Sequence, residues 1–287
     1  MTLRFTKMHG LGNDFVVIDA IRQSVSLSPN AIRFLADRRH GVGCDQVLLA
    51  APATQPGMDF RYRIFNADGR EVEQCGNGVR CLARFLLDEG LTTRDQLTIE
   101  TLGGPTEVSM EPDRRVTVNM GPPRLDPLVI PFRAAHRATT YPLTVEGETL
   151  IIAAVSIGNP HAVLLVEDVD AAPVARLGPA IETHADFPAH VNAGFLQIVN
   201  RGHVRLRVHE RGAGETLACG TGACAAAVAG RLQGLLDETV AVDLPGGRLE
   251  IQWPGEGEAV WMTGPATSVF RGDLALPRDD DASDQVG

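Results

Sequence analysis

The sequence predicts an α/β (α+β) fold of two pseudo-symmetric halves, each a mixed β-sheet curled around one central helix. Three observations carry that expectation. Cys75-Gly-Asn-Gly78 and Cys219-Gly-Thr-Gly222 each open a helical apolar run, 144 residues apart in a chain of 287. The interval recurs elsewhere: Gly12-Asn13 before one strand is echoed 146 residues later by Gly158-Asn159, and Asn66 and Glu210 each stand nine residues before their cysteine. Finally, Ala223-Cys-Ala-Ala-Ala-Val-Ala229 is apolar on every side and the run over 78–87 nearly so. A helix without a polar face belongs inside a shell of strands.

The elements follow in order. Residues 15–19, 46–50, 60–65 and 97–101 carry β-branched or aromatic side chains at strand length. Ser28 and Pro29 supply a cap and a first-turn proline for a helix over 30–37. A second helix is expected over 78–88, stopped by Gly90. The second half repeats the grammar, with strands over 161–166, 194–199 and 204–208 and a helix over 222–232. Residues 240–251 then form a hairpin turning at Gly246-Gly247. Proline and glycine cluster at Gly121-Pro-Pro123, which places a first domain over 1–120 and a second over 121–265. A last strand within 266–276 is expected to return and complete the first domain. The acidic end segment 277–287 reads as a disordered, solvated tail.

Composition narrows the function classes. Hydrophobic content of 44%, 22% charged residues and a formal net charge of −10 fit a globular protein and exclude a general nucleic-acid binder. A few local arginines and N–H groups can still hold an anionic small molecule. No apolar run reaches the length of a membrane span, and residues 1–10 lack the apolar stretch of a signal peptide. Five cysteines in a chain of this length fit reduced thiols in the cytoplasm better than a disulfide framework.

The cysteines carry the chemistry. A thiol at a helix start faces unpaired first-turn N–H groups, which can bring its pKa from about 8.5 to roughly 3.5–7.5. That range suits a general base near neutral pH. Two such thiols, Cys75 and Cys219, are equipped to move a proton from one face of a carbon to the other, whereas Cys44, Cys81 and Cys224 read as small buried hydrophobes. Zinc and redox roles are not expected: Cys75 to Cys81 has five intervening residues, Cys219 to Cys224 four, and no Cys-x-x-Cys exists. The Gly-x-Gly turns match neither a P-loop nor a dinucleotide fingerprint. Two helix N-termini would instead suit a carboxylate and the charge that develops when its α-proton leaves. His9-Gly-Leu-Gly-Asn-Asp14 and His40-Gly-Val-Gly-Cys-Asp45 echo each other and read as turns. His161 either orients a substrate or starts a strand.

Taken together, Met8-His-Gly-Leu-Gly-Asn-Asp-Phe15, Gly43-Cys-Asp-Gln46, Phe65-Asn-Ala-Asp-Gly69, Cys75-Gly-Asn-Gly78, Gly158-Asn-Pro-His161, Glu210-Arg-Gly-Ala-Gly-Glu-Thr216 and Cys219-Gly-Thr-Gly222 resemble the diaminopimelate epimerase family. The resemblance implies a cofactor-free, metal-free epimerase acting on LL- and meso-2,6-diaminopimelate, with two pseudo-symmetric barrel domains and a site in the cleft between them. It makes Cys75 and Cys219 the acid–base pair. Gly76, Asn77, Gly220 and Thr221 would hold the reacting carboxylate. Asn66, Asn159, Asn192, Glu210 and Arg211 would fix the distal end, or the reacting amino group in the case of Glu210. Asn13 and Gln46 would line the same pocket. Family members include homodimers.

Two rivals share the fold: another cofactor-independent amino-acid racemase, and a phenazine-pathway isomerase, which uses carboxylates where this chain keeps both cysteines. A non-catalytic anion-binding module gives no reason for the cysteine pair.

Overall fold

The computed structural model describes residues 2–73 and 75–276. The expected tail at 277–287 lies outside them. The chain divides into two compact units: the residues up to Val118 together with those from Gly264 onward, and Asn119–Thr263.

In unit 1 the order is β1 (Thr2–Gly10), β2 (Asn13–Asp19), α1 (Pro29–Ala36), β3 (Gln46–Pro52), β4 (Phe60–Asn66), β5 (Glu71–Val72), α2 (Gly76–Asp88), β6 (Gln96–Thr101), β7 (Gly104–Met110) and β8 (Val116–Asn119). Unit 2 runs β9 (Tyr141–Val145), β10 (Glu148–Ser156), β11 (Pro160–Leu165), α3 (Val174–Glu182), β12 (Asn192–Asn200), β13 (His203–Glu210), β14 (Gly214–Thr216), α4 (Gly220–Leu232), β15 (Thr239–Leu244), β16 (Gly247–Gln252) and β17 (Trp261–Gly264). The last strand, β18 (Thr267–Ala275), returns to unit 1 and pairs antiparallel with β1.

Strand pairing makes the duplication explicit. β2 is antiparallel to β1, parallel to β3, and β3 is antiparallel to β4. β11 is likewise antiparallel to β10, parallel to β12, and β12 is antiparallel to β13. The parallel steps β4–β6 and β13–β15 also correspond. The units differ at one edge: β9 precedes β10 in the chain, whereas its counterpart β18 comes from the far end of the sequence.

The central helices justify the expectation of a curled sheet. Asn77–Leu86 of α2 and Gly222–Gly230 of α4 are buried without interruption. Their neighbours are strands on several sides: β1, β2, β3, β4, β7 and β18 around α2, and β10 to β13, β15 and β16 around α4. Both helices end alike. Gly90 (φ +64°) and Gly234 (φ +72°) adopt the left-handed conformation, and Leu91 and Leu235 send their N–H back to Leu86 and Gly230, each at 2.9 Å. This is the glycine-terminated stop that leaves no carbonyl stranded.

The shorter helices cover the outer faces. Ser28 Oγ accepts from Ala31 N (3.2 Å), and Ile32 and Leu35 of α1 pack on Val16, Ile18, Val47 and Leu49. In unit 2, Val174, Leu177 and Ile181 of α3 pack on Leu143, Ile152, Leu164 and Phe195. Strands covered on both faces read as continuous apolar runs rather than alternating ones.

Two expectations need correction. The β15–β16 hairpin turns at Pro245-Gly246, one residue before the expected Gly246-Gly247, because Leu244 pairs with Gly247. The central helices start at Gly76 and Gly220, two residues earlier than the expected Gly78 and Gly222, because the Cys75 and Cys219 carbonyls already accept from Val79 (2.9 Å) and Ala223 (3.0 Å). The glycine-rich start disguised them, glycine being a poor helix former. The structure adds α3, which holds Gly178-Pro179 in its interior. Gly178 is there for space: a Cβ would stand 2.6 Å from the His209 ring.

Candidate active site

In unit 1 the expected residues gather at one end of the sheet. Gly12 (φ +89°) turns the chain so that β2 starts at Asn13. Gln46 starts β3 opposite Phe15, and Asn66 ends β4 opposite Gln46. Gln46 Nε2 donates to Asn66 Oδ1 at 2.8 Å. Cys75 is the residue before α2, in extended conformation. Its Sγ donates to Asn13 Oδ1 at 3.6 Å, and Asn77 Nδ2 donates to the same oxygen at 3.3 Å. Two buried groups support the helix start. Arg80 donates to Asn77 Oδ1 (2.7 Å) and to the carbonyls of Gly76 (3.4 Å) and Pro265 (3.3 Å), while Tyr62 OH donates to the Cys75 carbonyl (3.5 Å). A Cβ at Gly78 would lie 2.4 Å from that hydroxyl, so the helix can approach Tyr62 only with glycine there.

Unit 2 repeats the scaffold with other side chains. Gly158 (φ +87°) precedes Asn159, Asn192 starts β12 opposite His161, and Glu210 ends β13. Cys219 precedes α4, is buried, and donates to Glu210 Oε2 at 3.0 Å. Thr216 Oγ1 donates to the other oxygen of Glu210. Thr221 Oγ1 lies 3.6 Å from the sulfur and 3.0 Å from His161 Nε2, which also meets Asn159 Oδ1 at 3.2 Å and Asn192 Nδ2 at 3.4 Å. Asn192 Oδ1 accepts from Arg211 N (2.8 Å), and the Arg211 guanidinium donates to the Ala189 carbonyl (2.8 Å). Glu182 on α3 accepts from Gly212 N and pairs with His209, both at 2.8 Å, which pins the turn after Glu210.

The electrostatics depart from expectation at Cys219. Sequence reading gave this thiol the lowered pKa of a helix start. Burial pushes it well above the ordinary thiol value instead, and the charge and hydrogen bond of Glu210 push it further. The Thr221 hydroxyl and the Gly222 N–H act in the opposite sense and are outweighed. Desolvation and a like charge both penalise the thiolate, and together they exceed the partial charge of a helix end. Burial raises Cys44 to about 11 and Cys81 to about 12, in keeping with their reading as packing residues. Burial, then Arg211, lowers His161 to about 3, so its ring is neutral at physiological pH. None of the five cysteines forms a disulfide.

Three further residues at these helix starts had no role assigned from the sequence. Tyr62 looks like an ordinary strand residue, Thr216 falls inside the Glu210–Thr216 motif, and Arg80 left a trace as a charge in a mostly apolar helix.

The first turns of α2 and α4 thus leave backbone N–H groups beside each thiol, as an anion would require. Among the described residues, no group of three or more His, Cys, Asp or Glu side chains is placed to hold a metal ion, and no helix is long and apolar enough to cross a membrane.

Comparison with known proteins adds to this geometry. The family model for diaminopimelate epimerase matches residues 5–125 and 153–269. A diaminopimelate epimerase of Thioalkalivibrio sulfidiphilus is 66% identical over 278 residues, covering 96% of this chain and 100% of the relative. One from Alkalilimnicola ehrlichii is 64% identical with the same coverage. Among solved structures, a hydroxyproline epimerase from Agrobacterium vitis superposes with a TM-score of 0.69 at 17% identity, covering 97% of this chain and 94% of that one. A PhzF-family phenazine biosynthesis protein from Bacillus anthracis gives a TM-score of 0.70 at 16% identity, covering 96% and 100%. These two share the fold.

Proposed function

The chain belongs to the diaminopimelate epimerase family, and on that premise we propose that it interconverts LL- and meso-2,6-diaminopimelate by a two-base exchange between Cys75 and Cys219. The reaction feeds lysine and peptidoglycan synthesis. One observation carries this reading: each unit presents a thiol at the same place, at the start of its buried central helix.

The thiolate of one cysteine takes the α-proton, and the thiol of the other delivers a proton to the opposite face. The bond from carbon to the first hydrogen breaks with its electron pair left on carbon, and that pair then forms the bond to the second hydrogen, so charge and proton count balance. The carbanion has no pyridine ring or metal ion to spread over. Its charge moves into the carboxylate, where N–H groups of Gly76, Asn77, Gly220 and Thr221 receive it with little reorganisation. Glu210, 3.0 Å from Cys219, is placed to accept the thiol proton and leave a thiolate beside a neutral carboxyl. The substrate ammonium favours that transfer by bringing a positive charge beside the sulfur. Asn13, Gln46, Asn66, Asn159, Asn192 and Arg211 hold the remaining polar ends. Such matched groups reject substrates that lack a second amino-acid centre. A cytoplasmic homodimer completes the reading and is checked by sedimentation and cell fractionation.

The test is incubation with LL-diaminopimelate in deuterium oxide under reducing conditions. Wild type should form the meso isomer with deuterium at the inverted centre, and Cys75→Ala and Cys219→Ala should each lose about a thousandfold or more, the usual scale of acid–base catalysis. Inversion that survives in either variant overturns the two-thiol mechanism. Turnover of a single-centred amino acid in preference to diaminopimelate overturns the substrate.

A further inference from the structure

The two echoing stretches of the N-terminal half meet in space. β2 and β3 run parallel with Phe15 beside Gln46, so Asp14 and Asp45 stand side by side just before them. Gly12 (φ +89°) and Gly43 (φ +77°) make the same left-handed turn ahead of each aspartate. Each carboxylate accepts from the other's backbone: Asp14 N donates to Asp45 Oδ2 (3.0 Å) and Asp45 N to Asp14 Oδ1 (2.8 Å). Arg38 bridges both, with Nη2 at 2.8 Å from Asp14 Oδ1 and from Asp45 Oδ1. Lys7 closes the cluster on Asp14 Oδ2 (2.6 Å) and the Gly43 carbonyl. Two cations and two carboxylates thus form a neutral clamp.

The clamp has one further ligand, Asn13, whose Nδ2 donates to Asp45 Oδ2 at 2.9 Å. A carboxylate only accepts, so the NH2 end of this amide must face Asp45. The oxygen end is thereby turned to the other side, where it receives Cys75 Sγ (3.6 Å) and Asn77 Nδ2 (3.3 Å). An amide oxygen accepts a hydrogen bond from a thiol but offers only lone pairs to a thiolate. Hydrogen bonding to the neutral form disfavours the charged one.

We propose that Asp45 is a positioning residue that locks the Asn13 amide with its oxygen toward Cys75 and so holds that thiol in its protonated form in the empty enzyme. The proposal rests on the two-thiol reading above, and it makes Cys75 the proton donor kept in readiness. Tyr62 and Cys81 also interact with Cys75, and Arg80 acts on Cys81; none of them is altered in the test.

The test follows alkylation by iodoacetamide against pH on the whole chain without substrate, with Cys75 and Cys219 resolved by peptide mass spectrometry. Asp45→Asn removes the carboxylate that, with Asn77 Nδ2 on the other side, fixes the Asn13 amide, and the Cys75 midpoint should fall by about one pH unit. Asn13→Ala removes the acceptor and should lower the midpoint as well. In the Asn13→Ala background, Asp45→Asn should leave it where it is. The Cys219 midpoint should not move in any variant, which reports that the chain remains folded. An unmoved Cys75 midpoint in Asn13→Ala overturns the proposal. So does an equal Asp45→Asn shift with and without Asn13, which would mean that the aspartate charge acts directly. Alkylation does not involve diaminopimelate, so a failed substrate assignment leaves this outcome legible.

Discussion

At the start of α2 the Cys75 sulfur meets an amide oxygen, Asn13 Oδ1, at 3.6 Å; at the start of α4 the Cys219 sulfur meets a carboxylate, Glu210 Oε2, at 3.0 Å. The scaffolds around them correspond strand for strand. Phe15 and Gln46 sit side by side in unit 1 where His161 and Asn192 do in unit 2. The charged pair Asp14 and Asp45 has Pro160 and Val191 as counterparts at the 146-residue offset, so unit 2 has no equivalent of the clamp. Duplication placed two thiols alike, and divergence gave them different proton partners. One thiol has its own carboxylate to exchange with, and the other is held by a neutral amide oriented from outside.

Replacing Glu210 tests that asymmetry most severely. Glu210→Gln removes the charge that raises Cys219, so the alkylation midpoint of Cys219 should fall. Epimerisation should nevertheless slow by about a hundredfold or more, because the proton acceptor is gone. A rate within a few-fold of wild type would mean that the two thiols work in equivalent surroundings.

Acid stability gives a second, smaller contrast. Neutral, buried His161 has a folded pKa of about 3 against an ordinary value of 6.5, so below 6.5 the unfolded chain binds the extra proton. Stability is then full above pH 6.5 and declines toward pH 3, with about 2 kcal/mol lost by pH 5. In unit 1 the Arg38 and Lys7 partners hold Asp14 below the usual carboxylate range despite its burial. Its contribution is complete above the ordinary carboxylate value and fades only as pH falls through the depressed one. Both tryptophans, Trp253 and Trp261, lie in unit 2, so their fluorescence reports that unit. Denaturant titrations from pH 7 to 5 should show the loss in wild type, and His161→Phe, which installs the unit 1 residue, should flatten it. A wild-type curve without pH dependence in that window would remove the contrast.

The helix starts give the smallest effect. A Cβ at Gly78 meets the buried Tyr62 hydroxyl at 2.4 Å, whereas at Gly222 the nearest atoms are Val208 Cγ2 at 3.0 Å and the Cys219 side chain at 3.2 Å. Overpacking costs about 1–3 kcal/mol, and alanine returns just under 1 in helix propensity. Gly78→Ala should therefore destabilise by about 1 kcal/mol net, and Gly222→Ala should be close to neutral in thermal melts. Equal losses would show that the two helices are packed alike at this point.

Much of this was legible along the chain because it is local or periodic. The Ser28-Pro29 start of α1, the Gly90 stop of α2 and the strand runs each follow from a few adjacent residues, as does the β15–β16 hairpin, although its turn falls at Pro245-Gly246. The part that was not legible is also specific. Residues 2–10 carry no strong strand signal, yet they form β1, held between β2 and the returning β18. No expectation covered α3 either, where packing against His209 demands a residue without a side chain at Gly178.

The sequence by itself determined the duplication, the two thiol-headed buried helices, and the class of chemistry that such a pair can perform. These depend on intervals and on hydrophobic periodicity, which the order of residues records directly. Tertiary structure alone decided which side chains meet. Asp14 and Asp45 become partners only through the parallel register of β2 and β3, and that contact orients Asn13 toward Cys75. Glu210 reaches Cys219 because β13 ends where α4 begins. Even the direction of the Cys219 titration was decided there. A helix end contributes a fraction of a charge wherever it occurs, but burial and a neighbouring carboxylate outweigh it only once the sheet has closed around the helix.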